Sequence, residues 1–595
     1  QITNWLSLRA QVSTDITDVK QTLKYESEQP NSLYDPNGSF QSINRRYDIV
    51  YGDVMLNFNY NINRFDIAAT VGWTGRYENM NNIRVSTNGG LVTENWFDLN
   101  ASRYTPSSTL QRMELLKTGY MGTLSLGWDN YLFLELTGRQ ERSSTLKDQS
   151  FFYPSANLSF LFTQAFHMPS WWNYGKLRLS YGIVGNAPET YTANIVYEQG
   201  SDNGFTWNTI PSSWGNADIR PEKKYEYEIG LESKFLNNRL GIDISYYNNR
   251  VKDQILSTPQ PSTSGVKNVL MNVGEVANRG WDISISATPI LTRDFRWDLT
   301  ANYGVYKNKV VKLADGVPYL EILNSGGSGI KIQAVEGQPM GDIYAQVPQV
   351  NENGEYLVSD KGLYLNQTEL QKVGNINPAG VGGLFNSFSY KNVFLDFSID
   401  FRIGGDVINE MNQYATAVGL TPESLKYRDT EHGGLSYYYP GDNNSSGIPV
   451  QVDPSTGAGP NGEIIYHDGI ILPGVVASTG ERNTRIIPAG YYYNTTYNWG
   501  TEAEQLTYRH SVFDNSYVKL RELTIGYQFP EKMISKLGLG RLSVSVFGRN
   551  LFYFYKALKN YDAESSVGTS WANQATVGSS TTATRSFGVS LRASF

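Results

Sequence analysis

The chain has no cysteine, four histidines and few charges: Asp, Glu, Lys and Arg make up 18 % of its 595 residues. Without cysteine there is no disulfide framework, no thiolate metal site and no cysteine nucleophile. A soluble chain carries about a quarter charged residues, so the low charge is itself informative. The net charge of −7 leaves no basic footprint and argues against nucleic-acid partners. Apolar runs are short: none approaches the 18 residues that a membrane-crossing helix needs. Mean hydropathy is −0.40. Aromatics are abundant instead, with 41 Tyr, 25 Phe and 12 Trp, and there are 56 Gly. That wealth of aromatics excludes a disordered chain. The balance is that of a large all-β protein.

The dominant period is two, the period at which strand side chains alternate between faces. In 54–62, Val54, Leu56, Phe58, Tyr60 and Ile62 share one face, and Met55, Asn57, Asn59 and Asn61 the other. After an Asn63-Arg64 turn, Phe65, Ile67, Ala69, Val71 and Trp73 repeat the pattern. A second hairpin occupies 225–247 around Leu236-Asn237-Asn238-Arg239. The polar faces hold full charges such as Glu226, Glu228, Asp243, Asp298, Asp396 and Asp400. A sandwich would put these outside; a transmembrane barrel would turn them to a wet lumen and the apolar face to lipid.

Connection lengths choose between the two. About sixteen strands are expected, near 4–13, 44–62, 64–82, 110–128, 131–146, 151–166, 175–186, 223–236, 239–256, 270–288, 294–312, 381–391, 393–406, 515–529, 541–556 and 583–595. Short links near Asn63, Asp129, Pro169, Asn237, Leu291, Lys391 and Lys532 alternate with long ones at 14–43, 83–109, 187–222, 257–269, 313–380, 407–514 and 557–582. The one exception is short, at 147–150. Short periplasmic turns and long external loops mark an outer-membrane barrel. The segment 339–348 reads as a strand, which parity assigns to an external loop. Phe595 closes an amphipathic last strand, the usual assembly signal of such barrels. Sixteen strands could form a porin, but strands longer than about ten residues and very large loops favour the 22-stranded plugged transporters. The expected architecture is one wall of strands with no dry core.

Several motifs make the chain recognisable: 175–186 (GKLRLSYGIVGN), 220–230 (RPEKKYEYEIG), 237–240 (NNRL), 243–248 (DISYYN) and 272–276 (NVGEV) with 278–280 (NRG). Then come 336–339 (EGQP), 517–523 (YVKLREL), 548–551 (GRNL) and Tyr561-Asp562. In content and order these resemble the SusC/RagA family of TonB-dependent outer-membrane transporters of Bacteroidota. The resemblance implies a 22-stranded plugged barrel, of which residues 1–595 would be the C-terminal part, without the N-terminal plug and first strands. It also implies the outer membrane of a Gram-negative bacterium, with outer-membrane lipid around the wall. The implied partners are a SusD-like surface lipoprotein and the TonB complex, in a dimer of transporter–lipoprotein pairs. Implied cargo is oligosaccharide or oligopeptide. A passive porin and an adhesin-like barrel are the alternatives; neither cofactor, metal nor nucleic acid is expected.

Candidate contact residues lie in the external loops: Phe205, Trp207 and Trp214; Tyr437, Tyr438 and Tyr439; Tyr491, Tyr492 and Tyr493 with Tyr497 and Trp499. They are open to three roles: a substrate platform, contact with the lipoprotein lid, or packing within a loop. Trp171-Trp172, near a short turn, fits an aromatic girdle at the periplasmic interface. Gly548, Arg549 and Asn550 with Lys519, Arg521 and Glu522 carry the family motifs on the wall. Arg549 either reaches into the lumen or pairs with a neighbouring acid. Asp35-Pro36-Asn37-Gly38 and Asp442-Asn443-Asn444 read as turns rather than Ca²⁺ loops, since they lack regular ligand spacing. His167, His432, His467 and His510 are scattered, and neither a G-x-S-x-G elbow nor H-E-x-x-H occurs. No enzyme is expected.

Overall fold

The computed structural model describes residues 1–28, 35, 37–147, 150–202, 205–260, 262–325, 329–441, 447–498, 507–565, 570–577 and 583–594. Sixteen strands form one antiparallel sheet in chain order. They are β1 (Leu6–Tyr25), β2 (Ser39–Ile62), β3 (Phe65–Leu91), β4 (Ser102–Trp128), β5 (Leu132–Ser143) and β6 (Ser150–Phe160). Next are β7 (Trp172–Asn186), β8 (Glu222–Phe235), β9 (Leu240–Lys252), β10 (Glu275–Leu291), β11 (Phe295–Lys312) and β12 (Gly380–Tyr390). The last four are β13 (Val393–Ile403), β14 (Tyr517–Gln528), β15 (Arg541–Lys556) and β16 (Ser586–Ser594). Contacts divide the chain into two units, residues 1–233 with 245–277 and residues 234–244 with 278–595. No helix among the described residues is long and apolar enough to cross a membrane.

In the first unit the register keeps like side chains in rows. Leu6, Phe58, Ala69, Leu124, Leu136, Ala156 and Tyr181 face one another in sequence from β1 to β7. One residue along, Ser7, Asn57, Thr70, Thr123, Thr137 and Ser155 do the same on the opposite face. A slip of one residue in any pair would mix the two rows, so the alternation itself fixes the register. The polar row is internally bonded: Thr70 donates to Asn57 at 3.0 Å, and the Thr137 and Ser155 hydroxyls lie 2.6 Å apart. At the short-link end the apolar face finishes in touching rings. Phe65 meets Trp128 (6.5 Å between centroids), Trp128 meets Tyr131 (5.3 Å), and Tyr131 meets Phe160 (6.1 Å). Trp171 stacks on Trp172 at 6.0 Å, close to the same short links.

The apolar face of β3 runs from Phe65 to Tyr77 and then turns polar at Asn79 and Asn81. At about 3.3 Å per residue and a tilt of about 45°, that stretch is about 28 Å tall, close to the apolar band of a membrane barrel. Leu126 faces Ile67 and Leu134 one row in from the ring belt. Leu126→Arg is therefore expected to destabilise the sheet by about 1–2 kcal/mol, less than the same change at mid-band. Folding titrations into lipid, read as heat-modifiable mobility, measure it; an unchanged midpoint would rule out lipid on this face.

The second unit repeats the rule. Trp297, Phe388, Leu395, Ile525, Val546 and Val589 form one apolar row across β11–β16. Its long links depart from the expectation of a wall without a dry core. Four short strands, 319–325, 330–335, 342–345 and 371–375, form a separate sheet between β11 and β12. The segment expected at 339–348 is the third of these, Asp342–Ala345, and it does lie in a long link. Ile330, Ile332 and Ile343 from this sheet pack with Ile408, Tyr508, Val512, Ala572 and Ala575 in a buried core. A second core gathers Leu363, Ile470, Leu472 and Ile487.

The strands match the expected sixteen, with two corrections: the end of the strand read at 151–166 is a short helix, Phe162–Ala165, and the first two long links are shorter than read. Residues 14–25, 39–43, 83–91 and 102–109 are strand, so the first two long links shrink to 26–38 and 92–101.

Candidate functional site

The motif residues of β14 and β15 converge on one carboxylate. Glu564, in the 557–585 link, accepts from Lys519 Nζ at 2.5 Å and from Arg521 Nη2 and Nη1 at 2.5 and 2.8 Å. Arg521 also reaches Asp400 on β13 (2.5 Å) and Asn550 on β15 (3.1 Å). Lys519 is 1 % exposed and lies 4.8 Å from the Tyr553 ring centre. The Tyr553 hydroxyl donates to Asp562 at 3.0 Å. Asn515 Nδ2 donates to the Ala563 carbonyl at 2.9 Å, and Lys556 to the Tyr561 carbonyl at 2.7 Å. Burial opposes ionisation of Glu564, but hydrogen bonds from Arg521 and Lys519 outweigh it and hold its carboxyl down to about 2. Further on, Val577 N donates to the Ile408 carbonyl at 2.8 Å, and Ala572 and Ala575 enter the core. The link is thus held at both ends.

Arg549 pairs with Glu522 at 2.9 Å across β14 and β15 and covers the Phe547 ring at 5.0 Å. Asn550 has φ +53°, a conformation Asn tolerates. At Gly548 a Cβ would come within 2.7 Å of Leu551 and 3.2 Å of the Phe587 ring. The Gly-Arg-Asn motif is therefore a wall feature: close packing, a cross-strand ion pair and a backbone turn-out. The Glu-Gly-Gln-Pro motif at 336–339 leads into a comparable joint. Asn377 donates to the Met340 carbonyl, Asn375 donates to Asp342, and the Tyr306 hydroxyl of β11 donates to Asn377.

The loop aromatics separate by burial. Tyr437 and Tyr439 are buried; Tyr437 stacks on Tyr466, Tyr439 meets it edge-on, and Tyr437 donates to Asp468 at 3.2 Å. Both rings are packed inside the loop. Tyr438 is half-buried beside Gly459. Tyr491 and Tyr492 pack partly buried on the Leu363 core. Tyr493 is buried, and Tyr497 stacks on His510 with centroids 4.4 Å apart. Trp207 and Phe205 differ: they stand 45 % and 77 % exposed on a hairpin of 198–202 with 205–209. Trp214 sits at the base of this link, edge-on to Tyr197 at 5.9 Å. Trp499, Phe595 and Asp442-Asn443-Asn444 lie outside the described residues. Asp35 accepts from Gly38 N at 3.2 Å, a turn.

His432 bonds Asp429 at 2.8 Å, and His467 Nδ1 lies 2.8 Å from Ser436 Oγ. Ser436 is 2 % exposed, so this pair offers no accessible nucleophile. On the polar face of the first unit, near the short links, a cavity of about 760 Å³ is lined by Asn59, Asn61, Asp66, Glu135, Asn157 and Arg178. Sequence reasoning singled out Tyr561-Asp562 but missed Glu564, two residues later, and it placed Asp400 on a polar face without its partner Arg521.

A family model described as "TonB dependent receptor-like, beta-barrel" matches residues 2–328. The chain belongs to this family. Family members are transporters rather than enzymes. Among curated relatives, TonB-dependent receptor P3 of Formosa agariphila is 24 % identical over 494 residues, covering 76 % of this chain and 42 % of its own. TonB-dependent receptor SusC of Bacteroides thetaiotaomicron is 30 % identical over 247 residues, covering 38 % and 24 %. The chain therefore spans less than half the length of these relatives. Among solved structures, the RagAB peptide transporter superposes with a TM-score of 0.69 at 19 % identity, covering 95 % of this chain and 58 % of that one. The fold shared with that structure thus extends beyond the region that the family model matches, and the SusC/RagA resemblance of the motifs stands.

Proposed function

We propose that this chain is the wall and external loop region of an outer-membrane active importer of oligosaccharides or oligopeptides. It works with a SusD-like surface lipoprotein, as a dimer of transporter–lipoprotein pairs, and is powered by the TonB complex through an N-terminal plug. The observation that carries this reading is the sheet itself: apolar rows run unbroken across β1–β7 and again across β11–β16, and in the first unit the apolar face ends in aromatic rings at the short-link end, opposite a polar face with bonded hydroxyls and amides. Such a wall meets lipid outside and water inside. The polar lining of the cavity beside Glu135 and Arg178 supports a water-facing inner side. SusC and RagAB, named above, supply the analogy for the partner and the cargo classes.

Deleting the gene is expected to abolish growth on the cognate oligomer and leave growth on its monomers intact. A protonophore is expected to stop uptake of the oligomer by wild-type cells. Uptake that survives the protonophore would make the protein a passive porin. Growth that survives the deletion would leave it a surface-binding barrel.

A further inference from the structure

Charge is segregated along the chain. The seven long connections, 26–38, 92–101, 187–221, 253–274, 313–379, 404–516 and 557–585, hold 33 of the 57 Asp and Glu but only 12 of the 50 Lys and Arg. The strands and remaining links hold the other 24 acids and 38 bases. A net charge of −7 therefore hides long links at −21 against +14 elsewhere. Links that acidic select the charge of whatever approaches them.

One long link adds an apolar surface to this field. Between 187 and 219 there are four acids and no Lys or Arg. Its base is fixed: Ala193 and Ile219 are buried with Leu146 and Phe151, and the Tyr191 hydroxyl accepts from Glu114 N at 3.1 Å. Beyond that anchor Ile195, Val196, Tyr197, Phe205, Trp207 and Ile210 are all exposed. Exposed apolar groups in such number mark a contact surface. Glu189 and Glu198 stand exposed beside them. Arg220, at the foot of the link, is paired with Asp253 at 3.5 Å.

The composition of this arm chooses its occupant. Sugars stack on aromatic faces but gain little from branched aliphatic side chains such as Ile195, Val196 and Ile210. The carboxylates repel acidic peptides, sulfated glycans and lipid phosphates. A polypeptide with Lys or Arg between apolar side chains satisfies both features at once. We infer that the 187–221 arm is a capture site for cationic, apolar oligopeptides, the substrate class of the transporter. This rests on the import reading for its physiological meaning, though not for binding itself.

The test uses the protein purified in detergent and two fluorescent octapeptides, one alternating Lys with Leu and one alternating Glu with Leu. The Lys peptide is expected to bind about tenfold tighter at low salt, and the difference is expected to collapse at about 0.5 M NaCl. Glu189→Gln with Glu198→Gln should cut that preference about threefold. Phe205→Ser with Trp207→Ser should weaken the Lys peptide about tenfold, with heat-modifiable mobility unchanged. Equal binding of the two peptides, wild-type binding by both double variants, or displacement by a neutral malto-oligosaccharide would overturn the inference. Uptake assays in cells separate the two readings. Lys peptide bound but never imported would fail the transport reading alone; oligosaccharide imported without Lys peptide binding would fail this one alone.

Discussion

Glu564→Gln is expected to release the 557–565 segment from the wall, raising its local opening about a hundredfold, or about 3 kcal/mol. The change removes one charge from a group that holds two cations. Arg521 keeps Asp400 as a partner, but Lys519 loses the acid it is paired with while remaining buried beside Tyr553. An uncompensated buried ammonium is the costly outcome; the figure sits at the low end because Glu564 is about one-third exposed. Lys519→Met provides the contrast. It leaves Glu564 bonded to Arg521 and should cost about 1 kcal/mol or less, most of it the lost ring contact. Hydrogen exchange of peptides covering 557–577 reads both variants directly. Equal effects of the two would mean that the ion pair is not what holds the segment. The latch is insensitive to ordinary pH. A carboxyl held down to about 2 contributes stability above its unfolded value near 4.5, which is lost only as pH falls toward 2.

Why the strands were legible and the loops were not follows from where each is buried. Inside the apolar band a strand has lipid-side and water-side faces, so period two is written into residues such as Val54 to Ile62. Past the band both faces meet water. On β1 and β2 the formerly apolar face then carries Asp18, Lys20, Arg46 and Asp48, and on β3 Asn79 and Asn81. Backbone pairing continues there, Asp18 with Arg46 and Arg46 with Asn81, without any alternation to reveal it. That is why strands read as ending near 13 and 82 run on to 25 and 91. The loop cores fail for another reason. Their residues come from strands of two to seven residues, single helical turns and irregular chain, far apart in sequence, as with Ile330, Ile408 and Ala575. Pieces that short carry no measurable period. The motifs flagged Lys519, Arg521 and Asp562, each on or beside the wall. Glu564 was invisible because its importance lies in two cations 43 and 45 residues away. Of the aromatics, sequence could not separate Tyr437, which is packed, from Trp207, which is free, because both sit in polar loops.

Mild acid is expected to loosen the loop region around 407–417 and 489–512, and His510 is expected to be the cause. Its ring lies flat on Tyr497, 4.4 Å away, and burial together with the Arg509 charge pushes its pKa down to about 4 from the ordinary 6.5. The folded loop therefore holds neutral histidine. The unfolded loop takes up a proton below 6.5, so it binds more protons throughout the interval between 6.5 and about 4. Stability rises with pH across that window and falls as the solution is acidified, by about 3 kcal/mol in all. Below about 4 both forms are protonated and the loss levels off. The fold around His510 makes the effect local: Thr507 anchors its backbone, Ser511 is hydrogen-bonded to Gln413 on the 410–417 helix, and Tyr497 closes the 489–497 helix. A charge appearing there loosens both helices together. His510→Phe retains a flat ring on Tyr497 but cannot titrate. Hydrogen exchange of peptides from both helices, compared at pH 7 and pH 5, should show acid-induced opening in the wild type and little in the variant. Opening of equal size in both would place the acid response on other groups of the loop.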